Sequence, residues 1–231
     1  MFRSKKAMAA CAVAIAVLAA QQAVARANGV PAPAPSSSSM RARTPEELAV
    51  EAYNSGLENR KRAAKAEEQA AKDTKDSDRL KNEKKAREEY EKAFKSFKKA
   101  ADLNPSLPQA WNGMGFAYRK LGDYAKALES YDRALQLAPN FPDAIEYRGE
   151  AYLGLNRIDD AKQAYLALFA VDRKQAELLM KAMSSWVEKR KTESGGADPA
   201  AVSALDGWIK ERAAIAQQTR LMSRDAVSRS W

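Results

Sequence analysis

The sequence has no histidine and a single cysteine among its 231 residues. Without an imidazole it forms no Ser-His-Asp triad, no Cys-His pair and no His-ligated zinc site, and one thiol builds neither a Cys-rich metal site nor an intramolecular disulfide. We therefore expect no metal and no cofactor. The rest of the composition, with 45% hydrophobic residues and a formal net charge of +9, is typical of a basic globular chain that acts by binding or by carboxylate chemistry.

Long hydrophobic runs are also missing. The apolar run from Ala7 to Ala20 is shorter than the about 20 residues that a transmembrane helix needs. It follows a basic start and precedes Ala23-Val24-Ala25, which is the order of a secretory signal peptide. We predict a signal peptide at residues 1–25, with cleavage after Ala27 as the alternative, and a periplasmic or secreted protein without a stable membrane anchor. Cleavage would remove Cys11 and leave the mature chain free of cysteine.

The segment after the predicted cleavage site is rich in proline and serine. Pro31 to Pro35 alternate with alanine, and Ser36 to Ser39 follow, so residues 26–43 are expected to form an extended linker rather than part of a core. Helical structure is predicted to begin at Thr44. This residue has Pro45 after it and Glu47 three positions on, which is the pattern of a helix N-cap with a capping box.

A regular period of about 34 residues organises the middle of the chain. One full unit has Trp111, Met114, Gly115, Tyr118, Ala127, Tyr131, Ala134 and Pro139. Counterparts one period later are Ile145, Gly149, Tyr152, Ala161 and Tyr165, and counterparts one period earlier are Ala93, Phe97, Ala100 and Pro105. This spacing resembles the tetratricopeptide repeat (TPR) family, of the exported bacterial type, over roughly residues 45–172.

The resemblance implies an all-α fold, a superhelical stack of about three helix-turn-helix repeats. Glycine in the middle of a helix costs about 1 kcal/mol relative to alanine, so Gly115 and Gly149 indicate that a partner helix approaches closely there, and we expect Ala127 and Ala161 to face them. No strand pattern competes with the helical one. We assign residues 44–173 to the TPR domain.

The first repeat carries an insertion. The spacing from Gly56 to Ala93 is 37 residues, against 12 from Gly115 to Ala127. We predict that residues 58–89 add helical turns to both helices of the first pair, with a polar break at residues 73–78. Residues 41–100 hold 17 basic and 13 acidic side chains, and this mixture is interpreted as a solvated helical face in preference to a site for an anionic partner.

Two further helices are predicted after the repeats, at about residues 173–192 and 198–219. Their apolar stripes are Leu179, Met183 and Trp186 in the first, and Val202, Leu205, Ile209 and Ala213 in the second. A helical stack needs its last apolar face covered, so residues 174–219 are interpreted as C-terminal capping helices. Residues 220–231 are expected to be a flexible tail.

The family resemblance also implies a function. TPR proteins commonly bind peptides or partner helices on a concave surface lined by the first helix of each pair. The corresponding residues here are Asn112, Phe116, Arg119, Lys120, Glu146, Glu150 and Leu153, and the surface would extend to Tyr53, Leu57 and Arg60. Phe116 lies off the aromatic stripe, so it either covers a neighbouring helix or contacts a ligand. The basic and acidic residues do not reproduce the carboxylate clamp of one TPR subset.

The sequence therefore predicts a non-catalytic protein–protein interaction adaptor of the bacterial cell envelope, with a protein or peptide partner. The first alternative is a structural envelope component that self-associates. The second is a carboxylate-dependent envelope hydrolase, because Glu146 and Glu150 share one helical face and Asp159 and Asp160 are adjacent. A nucleic-acid partner is not expected, since acidic residues interrupt the basic ones and no nucleic-acid-binding module is present.

Overall fold

The structure is a computed structural model that describes residues 42–192 and 197–228, with side chains up to residue 218. The predictions for the signal peptide, for nearly all of the linker and for residues 229–231 lie outside these residues. Within them, the secondary structure is helical and contains no strand. The helices are α1 Pro45–Lys72, α2 Asp76–Leu103, α3 Pro108–Leu121, α4 Tyr124–Leu137, α5 Pro142–Gly154, α6 Ile158–Val171, α7 Arg173–Thr192 and α8 Pro199–Ser228.

The helix ends follow local sequence chemistry. Thr44 caps α1, because its hydroxyl accepts a hydrogen bond from the Glu47 backbone N–H while the Glu47 carboxylate accepts one from the Thr44 N–H. The short turn between α3 and α4 passes through Gly122 at φ 86°, a left-handed conformation that a Cβ would disfavour. Asn156 adopts φ 57° at the equivalent turn between α5 and α6. These caps and turns divide the chain into helical hairpins.

The helix pairs stack so that one side is inner and the other outer. The first helices pack on each other in sequence, α1 on α3, α3 on α5 and α5 on α7. The second helices α2, α4 and α6 make no comparable contact with one another over the described residues. Helices that touch on one side and separate on the other give a curved stack, so the inner, concave surface belongs to α1, α3, α5 and α7.

Large side chains lie closest to the mid-helix glycines. A Cβ on Gly115 would lie 2.6 Å from the Tyr131 ring, and Phe97 occupies the equivalent place against Gly56. At Gly149 the nearest side chain is Leu179 of α7, at 2.6 Å, with Ala164 at 3.3 Å. The close approach is therefore confirmed, and the space that a missing Cβ leaves is filled by a ring or a leucine, which lies closer than Ala127 or Ala161.

The insertion in the first repeat forms a long antiparallel hairpin. Both α1 and α2 have 28 residues, and they meet at residues 73–75, within the break predicted at residues 73–78, of which residues 76–78 already belong to α2. The buried residues of α1 repeat at alternating spacings of three and four residues and are almost all small: Ala49, Ala52, Gly56, Asn59, Ala63, Ala66 and Ala70. Such a seven-residue repeat is the seam of a coiled coil, and small side chains allow its two helices to lie close together.

The last two helices continue the stack as a fourth pair. Leu179, Met183 and Val187 of α7 are buried against α5, α6 and α8, together with Val202, Leu205 and Ile209 of α8. The predicted stripes are thus largely confirmed, although Trp186 is only half-buried and Ala213 is exposed. Helix α8 runs to Ser228 and so includes most of the predicted flexible tail. No proline or glycine interrupts residues 208–228, so nothing in the sequence ends the helix at Thr219.

Candidate functional site

An aromatic and cationic cluster lies at the centre of the inner surface. The guanidinium carbon of Arg60 lies 3.8 Å from the centroid of the Phe116 ring and 5.5 Å from that of Tyr147. Phe116 also meets Tyr147 edge-on at a centroid distance of 5.2 Å, and Tyr90 at 6.0 Å. Arg60 donates a 2.8 Å hydrogen bond to the Tyr147 hydroxyl. The cluster joins α1, α2, α3 and α5.

This cluster settles the role of Phe116. Its side chain is 8% exposed and covers neighbouring helices, so it does not present its ring to a ligand on the surface. Of the two roles that the sequence left open, packing is the observed one. Arg60 is the side chain that covers it, because a guanidinium over an aromatic face is attracted by the ring quadrupole.

Ion pairs connect the same helices beside the cluster. Arg119 of α3 pairs with Glu150 of α5, and Lys120 of α3 pairs with Glu67 of α1 at 2.7 Å. The Tyr90 hydroxyl donates a 2.9 Å hydrogen bond to the same Glu67 carboxylate. Glu67 and Tyr90 belong to the lengthened hairpin, and sequence reasoning did not place either at this surface.

Glu146 is a buried acid within this network, with 4% of its surface exposed. Burial is the largest cause of a rise in its pKa to about 9, the negative charge and hydrogen bond of Glu150 contribute to that rise, and Arg119 opposes it. Asp143, one turn earlier on the helix, makes a smaller contribution to the same rise in pKa. Glu146 is therefore protonated at neutral pH. Because the protonated Glu146 is neutral, the positive charge of Arg119 is balanced by the negative charge of Glu150 alone.

A pocket of about 290 Å³ opens beside these ion pairs. Helices α3 and α5 form one side of the pocket. Helix α7 and the N-terminal residue of α4 form the other side. Its lining residues are Arg119, Lys120, Tyr124, Glu150, Leu153, Gly154, Ala182 and Trp186. The guanidinium of Arg190 lies 5.4 Å from the Trp186 ring centroid and supports that ring from within α7. The pocket thus has a mainly polar lining that includes paired charges, and Leu153, Ala182 and Trp186 form its apolar part.

The structure brings four of the seven predicted concave-face residues to this pocket, namely Arg119, Lys120, Glu150 and Leu153. The other three, Asn112, Phe116 and Glu146, are buried and do not line it. Leu57 is exposed, while Tyr53 and Arg60 are partly buried in the first pair. Their burial follows from the direct packing of first helices on one another.

Sequence reasoning missed Tyr124, Ala182 and Trp186 as pocket residues. The sequence does contain a pattern that could have found Trp186, because it follows Tyr152 at the same interval at which Tyr152 follows Tyr118. That register places α7 as the first helix of a further pair. The repeat register of α7 is hard to recognise in the sequence because α7 has 20 residues, whereas α3 has 14 and α5 has 13.

The carboxylates considered for hydrolysis or metal binding are engaged in ion pairs or buried. Asp159 pairs with Lys162 at 3.2 Å, and Asp160 pairs with Arg157 at 2.8 Å. Among the described residues, no group of three or more Cys, Asp or Glu side chains is placed to hold a metal ion. Nor does any described helix combine the length and apolarity required to cross a membrane.

Sequence comparison identifies the repeat. The tetratricopeptide repeat model matches residues 108–141, which span α3, α4 and the whole loop that leads to α5. A second TPR repeat model matches residues 82–122, from α2 to the end of α3. No curated relative matches the sequence.

Three solved structures that align with this chain are TPR domains. The first TPR of Spaghetti (RPAP3), bound to an HSP90 peptide, is 20% identical and covers 58% of this chain and 94% of its own, with a TM-score of 0.41. The first TPR domain of human RPAP3 is 19% identical and covers 61% of this chain and 99% of its own, with a TM-score of 0.42. The Arabidopsis OM64 TPR domain is 17% identical and covers 56% and 94%, with a TM-score of 0.40.

Proposed function

We propose that this all-α chain, in which residues 82–141 match tetratricopeptide repeat models, is a protein–protein interaction adaptor. The partner segment binds at the pocket between α3, α5 and α7, and the adaptor acts by holding it there. One observation carries this proposal: on the inner surface, the pocket has a small apolar part beside the charged groups of Arg119, Lys120 and Glu150.

The pocket chemistry defines the partner segment. Leu153, Ala182 and Trp186 provide contact for one apolar side chain. Arg119 and Glu150 pair with each other, and Lys120 pairs with Glu67, so the nearby charge is balanced. A segment with an apolar anchor flanked by residues of both charges therefore fits better than a uniformly acidic or basic one.

The packing of the inner surface restricts binding to this end. Phe116, Tyr147 and Arg60 fill the centre, so no open groove runs along the first helices there. Ion pairs already hold Arg119 and Lys120 in place before a partner arrives. A surface ordered in advance loses little conformational entropy on association, which favours binding by a rigid stack.

The location of the adaptor is part of the proposal. The basic start, the apolar run from Ala7 to Ala20 and the small residues before residue 26 support export to the bacterial envelope through a cleaved signal peptide. In that setting the partner is an envelope protein, and residues 26–43 act as the linker ahead of the repeats.

The test is site-specific photocrosslinking in cells. The photoreactive residue benzoylphenylalanine replaces Trp186, where an aromatic ring already borders the pocket, and the control probe replaces Lys75, which is exposed at the hairpin turn. We expect one discrete protein adduct from the Trp186 probe, absent from the Lys75 probe. Intact mass of the purified protein gives the first residue of the mature chain in the same experiment.

A pocket-filling substitution makes the test specific. Ala182→Phe on the Trp186 probe chain places a ring in the pocket, and we expect it to abolish the adduct. The matched control is Ala170→Phe on the exposed face of α6, which should leave the adduct unchanged. Adducts from Lys75 alone, or an adduct that persists with Ala182→Phe, would place the partner elsewhere.

A further inference from the structure

The outward face of α2 carries a row of lysines. At 100° per residue, Lys81, Lys84, Lys85, Lys92, Lys95 and Lys99 fall within about 100° of the helix circumference, and the row is roughly 27 Å long at 1.5 Å per residue. All six side chains are exposed. The buried residues of α2, among them Tyr90, Ala93 and Phe97, lie on the opposite side of the helix. We call these six residues the lysine row.

Acidic residues of α2 are mostly paired beside the row. Arg79 pairs with Asp76 at 2.8 Å, and Arg87 pairs with Glu91 at 3.5 Å. Asp102 pairs with Lys98 at 2.7 Å, and the buried Glu89 forms ion pairs with both Arg62 and Lys92. Within the row's own arc the acids are Glu88 and this paired Asp102.

Five of the six lysines in the row make no ion pair with a described carboxylate. Among described residues, no carboxylate forms an ion pair with Lys81, Lys84, Lys85, Lys95 or Lys99. The basic and acidic side chains, which alternate along the sequence of this segment, thus lie largely on different faces of the helix. The paired acids Asp76, Glu89 and Glu91 lie beside the row, and Glu88 and Asp102 are the two acids that share the arc of its six lysines. Sequence averaging over residues 41–100 hid this separation.

The geometry points to an anionic lipid bilayer as the partner of this face: we propose that the lysine row binds the headgroup surface of a membrane peripherally. The row lies on a convex ridge, and a flat surface touches a straight ridge along its whole length. Every lysine can then meet its own headgroup. A polymer chain is usually held in a groove, and this ridge provides none.

The residue type supports a diffuse electrostatic contact. All six cations are lysines, which act as hydrated point charges on flexible stems, whereas arginine favours fixed bidentate recognition. The row has no aromatic residue on which nucleic-acid bases could stack. It also has no apolar side chain between its lysines to insert among acyl chains, so attraction depends on charge and weakens with salt. The site is on α2 and is separate from the proposed partner pocket.

The experiment is vesicle flotation of the full chain. Vesicles contain phosphatidylcholine alone or mixed with phosphatidylglycerol, at low and at physiological salt. The row variant carries Lys84→Gln, Lys85→Gln, Lys95→Gln and Lys99→Gln. The matched control carries Lys61→Gln, Lys65→Gln, Lys174→Gln and Lys181→Gln, which are exposed lysines off the row with the same total charge change. Circular dichroism checks that both variants remain helical.

We expect binding only to the phosphatidylglycerol vesicles, with a loss of at least about tenfold in partition coefficient for the row variant and less than about twofold for the control. Equal losses in both variants would overturn the proposal, because net charge alone would then explain binding. So would absence of binding at low salt. Soluble polyphosphate is tested in parallel, and binding of the wild type to polyphosphate but not to vesicles would assign the row to a polyanion instead.

Discussion

At the residue scale, the strongest departure from ordinary surface chemistry is Glu146. A carboxyl that is buried beside a second carboxylate keeps its proton, because ionisation would place two negative charges opposite the single guanidinium of Arg119. Protonation is therefore part of the contact between α3 and α5. The same network holds two of the cations that border the proposed pocket.

The pH dependence of stability follows from this proton. The pKa of Glu146 is raised from 4.5 to about 9 in the folded chain. The protonated carboxyl therefore contributes fully to the free energy of unfolding below the pKa of the unfolded chain, and this contribution is lost as the pH rises through the pKa of the folded chain. In Glu146→Gln the amide replaces the protonated acid and does not titrate. We expect this variant to gain at least about 1 kcal/mol relative to wild type between pH 5 and pH 9.

Urea denaturation at a series of pH values measures the effect. The matched control is Glu129→Gln on the exposed face of α4, which should follow the wild-type pH dependence. A Glu146→Gln variant whose stability difference from wild type is constant with pH would show that this carboxyl is ionised in the folded chain.

At the element scale, the first pair differs from the other repeats because its interface is a seam of small side chains. Ala63 is fully buried at this seam, next to the cluster of Tyr90 and Phe116. The hairpin also contacts Lys120 through Glu67, so its position relative to α3 defines one edge of the inner surface. Close helix approach is thus a requirement of both the hairpin and the site.

Enlarging the seam tests that requirement. We expect Ala63→Leu to destabilise the chain by about 1–3 kcal/mol, because a well-packed interface accommodates added methyl groups only by separating its helices. Ala64→Leu, one residue along α1 on the exposed face, is the matched control and should change stability by less than about 0.5 kcal/mol. Thermal unfolding of both variants gives the comparison, and equal stabilities would mean that the seam has spare volume.

At the scale of the whole molecule, the sequence predicts periodic features well and contacts outside the period poorly. The positions of α3 to α6 could be predicted from Gly115, Tyr131 and their counterparts in the neighbouring repeats, because the same contacts between helices recur in each repeat. Tyr90 and Glu67 were missed as inner-surface residues, since they belong to an insertion whose packing no period describes. Phe116 could not be assigned from its spacing alone, because burial depended on Arg60 from another helix.

Each helix pair packs mainly on its neighbours, with Arg60 of the first pair also reaching Tyr147 of the third, so we expect damage to the last pair to have a local effect. Leu205 of α8 is fully buried against α7, so Leu205→Asp places an unpaired carboxylate in the terminal interface. We expect amide hydrogen exchange to accelerate at least about tenfold in α7 and α8, and to stay near wild type in α1 to α4, because opening the last pair leaves the first contacts intact. Ser203→Asp on the exposed face is the control and should alter neither region. If Leu205→Asp accelerated exchange equally in every helix, the four pairs would have to unfold as one cooperative unit, and the pocket formed by α3, α5 and α7 would then depend on the whole chain for its order.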